Sequence, residues 1–321
     1  MSASPGFIGQ DGAWREWTSA MASSRMHHAW LLAGARGLGK QAFARAAAAE
    51  LVREPGGKPP VPETHPDIMI LDHLPANDDE AKKKAEGKPF QTKRNISVDQ
   101  VRAMIRRLAT KPTLGERRAI IVDPADDMEK GAVNALLKVL EEPPTGTHFL
   151  LIAHQPGRLL PTIRSRCRVL RFAPLAAGEI DAVLRRDRPE ASADQRDAAI
   201  AAAQGSPGVA LAFVEHDLAG LHGLMQRIMR EGDRDFGLRG ALAGEMGARP
   251  TRERLMAAID LARSELAGEL APATPERQAR IITSHAALVR LGAQAPTYNF
   301  DPGLLIMEIG GLLAATAMPR D

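Results

Sequence analysis

Cysteine is nearly absent, since only Cys167 among 321 residues carries a thiol. One thiol excludes an intramolecular disulfide and any zinc site built on two or more thiolates, and it fits a reducing compartment, so a cytoplasmic location is expected. Aromatic residues make up 4% of the chain. The core must then be built from Ala, Leu, Val and Ile, and stacking bases on an aromatic platform is not the expected mode of action. Long apolar runs are also missing. No window approaches the roughly 18 apolar residues of a membrane span, and Met1 to Trp17 has no continuous apolar stretch, so no membrane partner is expected. Charge of one sign is not in large excess, with 42 Lys and Arg against 39 Asp and Glu. With 44% hydrophobic and 25% charged residues, wholesale disorder, collagen and coiled coil are excluded. At about 100–200 residues per domain, the length suggests two or three domains.

Between residues 27 and 172, short apolar runs alternate with helix-like patterns, the signature of a parallel sheet with crossover helices. Strands are expected at Trp30–Ala33, Ile68–Leu71, Arg118–Val122, Thr147–Ile152 and Arg168–Phe172. Ser97 and Gln100 form a capping box ahead of an apolar stripe of Val98, Val101, Ile105 and Leu108. A second helix, capped by Asp126 or Asp127, carries Val133, Leu136, Leu137 and Leu140 and stops at Pro143-Pro144. The stretch Pro75–Lys88 has little to bury and reads as a mobile surface loop. After Pro174 the pattern is helical and Ala-rich, with breaks at Gly205–Gly208 and near Glu231–Arg234. The expected organisation is an α/β domain over 1–173, a small helical domain over 174–214 and an all-α domain over 215–321.

Directly after the first strand stands Gly34-Ala35-Arg36-Gly37-Leu38-Gly39-Lys40-Gln41, which is G-x-x-x-x-G-K between a strand and a helix. Backbone N–H groups at a helix N-terminus would cradle phosphates, with the Lys40 ammonium reaching the outer ones. The same glycines also suit a plain strand-to-helix turn. The next residue should carry a hydroxyl that ligates Mg²⁺, yet it is Gln41. Asp123 ends the third strand as one metal-organising carboxylate, but Pro124 stands where an active ATPase of this type usually has the glutamate that orients water. Losing a positioned base costs roughly 10²–10⁴ in rate. Two defects in one site predict that nucleotide can be held without turnover.

The segments His28–Leu32, His65-Pro66-Asp67, Ile96–Val101, Ile121–Asp126, Asn134–Pro144, Thr162–Cys167 and Gly205–Leu211 together resemble the bacterial clamp-loader subunits of the AAA+ family, most closely their delta-prime branch. The resemblance covers about the first two-thirds of the chain and is specific in order and spacing. It implies an AAA+ P-loop module over 1–173, a helical lid over 174–214 and a C-terminal collar over 215–321 that joins a pentameric ring. It also implies a subunit that does not hydrolyse ATP by itself: Asp123-Pro124 has the look of that branch, and Gly208 stands where hydrolysing relatives have a lid arginine. No cofactor is then required, although ATP or ADP can occupy the degenerate site formed by Gly34, Gly37, Gly39, Lys40, Gln41 and Asp123. Many relatives carry a four-cysteine zinc module that Arg53–Thr64 lacks, so no zinc is expected. The implied partners are gamma/tau-type ATPase subunits, the delta subunit, primer-template DNA and, indirectly, the sliding clamp.

By the same resemblance, Arg166 in Ser165-Arg166-Cys167 is an arginine finger, placed in trans into a neighbour's ATP site to stabilise charge on the transferring phosphoryl group. The bland alternative makes it one of five surface arginines with Arg158, Arg164, Arg168 and Arg171. From Lys93 to Arg118, eight basic residues face two acids, a density that suits a phosphate backbone. Arg102 and Arg106 lie one turn apart and are the expected DNA contacts, although a solvated helix face explains the charge equally well. Cys167 reads as a small buried hydrophobe and His65 as a turn element. Two other functions remain to be weighed: a working AAA+ ATPase of replication or repair, its water oriented by Glu141 or Asp126, and a stand-alone nucleic-acid binder. The long, weakly charged C-terminal helices suit assembly better than phosphate contact.

Overall fold

The computed structural model describes residues 7–23, 26–88, 90–295 and 300–317. Two compact units divide between Ala173 and Pro174. The first runs α1 (Asp11–Met21), β1 (Ala29–Ala33), α2 (Lys40–Val52), β2 (Ile68–Leu71), α3 (Asp78–Ala85), α4 (Val98–Leu108), β3 (Arg118–Val122), α5 (Lys130–Glu141), β4 (Thr147–Ala153), α6 (Pro161–Arg164) and β5 (Arg168–Arg171). All strands are parallel, in the order β2-β3-β4-β1-β5, with Leu31 of β1 opposite Leu151 of β4 and Val169 of β5. Every strand lies within one residue of its expected bounds.

Alternation of side chains along the strands divides the core into two layers. Trp30, Leu32, Ile121, Leu150 and Ile152 share a buried cluster with Trp14, Trp17 and Phe43 from α1 and α2. Leu31, Ile120, Val122, Phe149 and Leu151 share the opposite cluster with Val101, Met104, Leu136 and Leu140 from α4 and α5. The few aromatics are concentrated in the first layer, where Phe7, Trp14, Phe43 and Phe172 meet edge-on or tilted at 5.1–5.6 Å between ring centres.

Helix α4 is capped as the sequence predicts. Ser97 accepts from the Gln100 N–H, and the Gln100 side chain accepts in return from the Ser97 N–H. Helix α5 starts later than expected, after Glu129, because Ala125–Asp127 form a separate 3₁₀ turn. The expected loop at Pro75–Lys88 contains α3 instead. Its Asn77 side chain accepts from the Glu80 N–H, three acids fill the first turn and three lysines the last. Capping and macrodipole complementarity thus stabilise a helix that buries little apolar surface.

The second unit consists of α7 (Ala177–Asp187), α8 (Ala193–Ala203), α9 (Pro207–Glu215), α10 (Ala219–Glu231), α11 (Gly237–Met246), α12 (Arg252–Gly268), α13 (Pro275–Gln294) and α14 (Pro302–Ala314). Ser192, Ser206, Thr251, Thr274 and Asp301 cap α8, α9, α12, α13 and α14 with their side-chain oxygens. One apolar cluster runs from Leu175 and Ile180 through Phe213 and Met225 to Leu305 and Leu313, so residues 174–214 and the later helices share a core.

Candidate functional site

The glycine loop leaves the end of β1 and enters α2 with Gly39 as its N-cap. Gly37 and Gly39 have φ of 82° and 81°, a region that residues with a Cβ enter at a cost. Gly34 is required by proximity, because a Cβ there would stand 2.7 Å from the Phe172 carbonyl oxygen. The first-turn N–H groups of α2, which no intrahelical carbonyl can reach, are left as donors for an anion.

Lys40 is 2% exposed. Its Nζ donates to the carbonyl oxygens of Gly34 at 2.8 Å and Ala35 at 2.6 Å. Burial brings its pKa down to about 8, against the opposing pull of Asp126 and Asp123. A phosphate oxygen would compete with two neutral carbonyls for this ammonium, and the charged acceptor makes the stronger hydrogen bond. The donor set therefore fits a phosphate.

Asp123 follows β3, where its N–H donates to the Leu71 carbonyl. Gln41 Nε2 donates to Asp123 Oδ2 at 2.7 Å. Burial raises the Asp123 carboxyl above its ordinary value; the Gln41 hydrogen bond, Arg45 and Lys40 oppose that rise, and Asp72 adds to it. An amide N–H is no metal ligand, so in this arrangement Gln41 offers Mg²⁺ no oxygen and occupies Asp123 Oδ2, a poor fit to an ion bound through oxygen. Pro124 follows at once and supplies no base.

Asp126 serves neither as the cap of α5 nor as an open base. Its Oδ2 accepts from the backbone N–H groups of His154 and Gln155, tying the end of β4 to the turn after β3. Its Oδ1 is buried without a hydrogen-bond partner among the described residues, and burial raises the carboxyl. The sequence signal for this tie is a carboxylate just past one strand and two residues just past its sheet neighbour. The role of Arg45 and Asp72 beside Asp123 has no such local signal.

Arg166 lies in the turn between α6 and β5. It donates to the Thr162 carbonyl at 3.0 Å and to Glu141 Oε1, at the end of α5, at 2.7 Å. The other alternative base, Glu141, is therefore engaged by the arginine. Arg168 is held differently, by Glu16 and over the Trp30 ring at 5.0 Å.

The basic segment divides into two parts. Arg102 and Arg106 are exposed on one side of α4, with Asp99 3.7 Å from Arg102. Arg118 is not available to a polyanion. It is 4% exposed, donates to the Arg107 and Lys111 carbonyls and lies 3.8 Å from Asp67. Asp67 in turn accepts from the Thr113 and Leu114 N–H groups, and His65 Nδ1 accepts from the Asp67 N–H, closing the turn expected at His65-Pro66-Asp67. Cys167 packs beside the α4/α5 layer, and burial pushes its thiol up to about 12, which removes it as a nucleophile. Among the described residues no group of three or more His, Cys, Asp or Glu could hold a metal ion, and no helix is long and apolar enough to cross a membrane.

A five-stranded parallel sheet with the glycine loop after its first strand and the acidic residue after its third defines a P-loop α/β module of the AAA+ type. A family model described as DNA polymerase III, delta subunit, matches residues 9–176, and the chain belongs to that family. It is 36% identical over 204 residues to the DNA polymerase III subunit delta' of Pseudomonas aeruginosa, covering 60% of this chain and 57% of the relative. It is 33% identical over 206 residues to the corresponding subunit of Escherichia coli, covering 61% and 57%. To the gamma/tau subunit of Mycobacterium tuberculosis it is 30% identical over 218 residues, covering 66% of this chain and 36% of that one. The chain thus matches a little over half the length of these two delta' relatives. A DNA polymerase III gamma subunit-related protein of Thermotoga maritima superposes with a TM-score of 0.49 at 18% identity, covering 94% and 98% of the two chains.

Proposed function

We propose that this chain is a clamp-loader subunit of a bacterial DNA polymerase III that does not hydrolyse ATP itself and supplies Arg166 to the ATP site of a neighbouring subunit. The observation that carries the first half is the Gln41 amide on Asp123: a residue that should deliver a metal-ligating hydroxyl instead donates to the metal-organising carboxylate. Pro124 removes the expected base beside it. The names of the relatives support the assembly, since both delta' and gamma/tau subunits are among the proteins this chain matches.

In this reading the ring contains gamma/tau-type ATPase subunits and a delta subunit, works in the cytoplasm, and opens the sliding clamp for placement on primer-template DNA. Residues 215–321 form its collar contribution. Arg166 is suited to act in trans because its side chain is about one-third exposed and is held by the half-exposed Glu141 carboxylate and the Thr162 carbonyl of its own turn. Exposed Arg102 and Arg106 present adjacent charges to a phosphate backbone. The test is steady-state ATP hydrolysis by the purified chain with magnesium and primed DNA. Turnover indistinguishable from buffer is expected. Turnover abolished by Lys40→Ala would instead make the chain an ATPase in its own right.

A further inference from the structure

We infer that the phosphate loop takes a nucleoside di- or triphosphate without a divalent cation, the Gln41 amide standing at Asp123 in the cation's place. The inference rests on the fit of the Lys40 loop to a phosphate and on the proposed reading that this chain does not hydrolyse ATP, and it goes further by stating in what form nucleotide is held. In a P-loop that uses metal, the hydroxyl after the lysine and the carboxylate after the third strand organise the ion between them. Here those two positions satisfy each other directly, Nε2 to Oδ2 at 2.7 Å.

Mg²⁺ would have to break this bond and gain no hydroxyl in exchange, while keeping oxygen ligands at near-octahedral geometry. Part of the ion's charge is replaced by Lys40 and Arg45 from α2, which act on Asp123 electrostatically against its burial and the Asp72 carboxylate. The phosphates do not depend wholly on the ion either. They would meet the Lys40 ammonium, the positive end of a 13-residue helix and the nearby Arg36 guanidinium. A nucleotide held in this way lacks the ion that neutralises a transferring phosphoryl group, so it stays intact in the loop.

The experiment is equilibrium binding of fluorescently labelled ADP to the full chain, in magnesium and in EDTA, for the natural sequence, Gln41→Thr and Lys40→Ala. The natural chain should bind with dissociation constants differing by less than about threefold between the two conditions, and Lys40→Ala should lose binding by at least about tenfold. Gln41→Thr restores the hydroxyl and should make binding at least about tenfold tighter in magnesium than in EDTA. Binding by the natural chain that weakens about tenfold or more in EDTA would overturn the inference and leave the phosphate cradle standing. No binding in either condition, or equal binding by Lys40→Ala, would overturn the cradle and the inference with it. The natural chain alone decides the metal question, whether or not either variant folds.

Discussion

Lys40 and Arg166 are cations of the same α/β unit held differently: Lys40 is buried on two backbone carbonyls of its own loop, whereas Arg166 is about one-third exposed and leans on a half-exposed carboxylate and one backbone carbonyl. A buried charge is costly to leave unpaired, so its partners fix its position. An exposed ion pair is worth about 0.2–1 kcal/mol, so a guanidinium held in that way can be turned outward at small cost. The inward cation suits a role within its own chain, and the outward one suits a role on a neighbour. Asp67 and Arg118 belong with Lys40 in this division, and Arg102 and Arg106 with Arg166.

The contrast can be broken at several points. Asp67→Ala removes the acceptor of two backbone N–H groups and leaves Arg118 buried, so chemical denaturation should show a loss of about 3–5 kcal/mol. A loss below about 1 kcal/mol would put that pair among the surface contacts. The second point is pH. Lys40 has a folded pKa of about 8, below its ordinary 10.5. The folded chain therefore sheds this proton first, and its contribution makes stability rise with pH between those two values. Phosphate affinity should move the other way, falling up to about tenfold per pH unit above pH 8, as titration of labelled ADP binding would read. Flat affinity through that window would mean that the ammonium does not meet the phosphates.

Weaker effects are expected on the exposed side. Arg102→Glu with Arg106→Glu should weaken DNA binding by the assembled complex and lower its salt dependence by about 0.9 per lost phosphate contact in the log–log slope. Unchanged affinity and slope would return this face to plain solvation. Glu141→Gln should change folding stability by less than about 1 kcal/mol, because the pair it weakens is partly exposed. A larger loss would show Arg166 to be a structural anchor.

Much of the first unit is legible from local pattern. The strands are short buried runs bounded by turn residues, and the α4 cap is a reciprocal Ser97–Gln100 pair written within four positions. The α3 helix escapes a reading by apolar content because its support is Asn77, the acidic first turn and the basic last turn. At the site, Lys40, Gln41 and Asp123 are identifiable by spacing from strand ends. That Gln41 reaches Asp123, 82 positions away, depends on β1 and β3 lying in one sheet with β4 between them. Charge counting fails at Arg118 for a similar reason: its position at the start of buried β3 turns a basic residue into an internal donor to Arg107 and Lys111. In the second unit small alanines such as Ala199, Ala202 and Ala203 form the buried face of α8, and an Ala-rich stripe has too little contrast with its surroundings to announce which face is inward.

The most direct test of the division between inward and outward cations is ATP turnover by the reconstituted ring, its other subunits unaltered, with this chain carrying either Arg166 or Arg166→Ala. A fall of about 10³–10⁵ at the neighbouring site, with assembly intact by sedimentation, is the predicted result. Unchanged turnover in an assembled ring would contradict the account and leave Arg166 as one surface arginine among several.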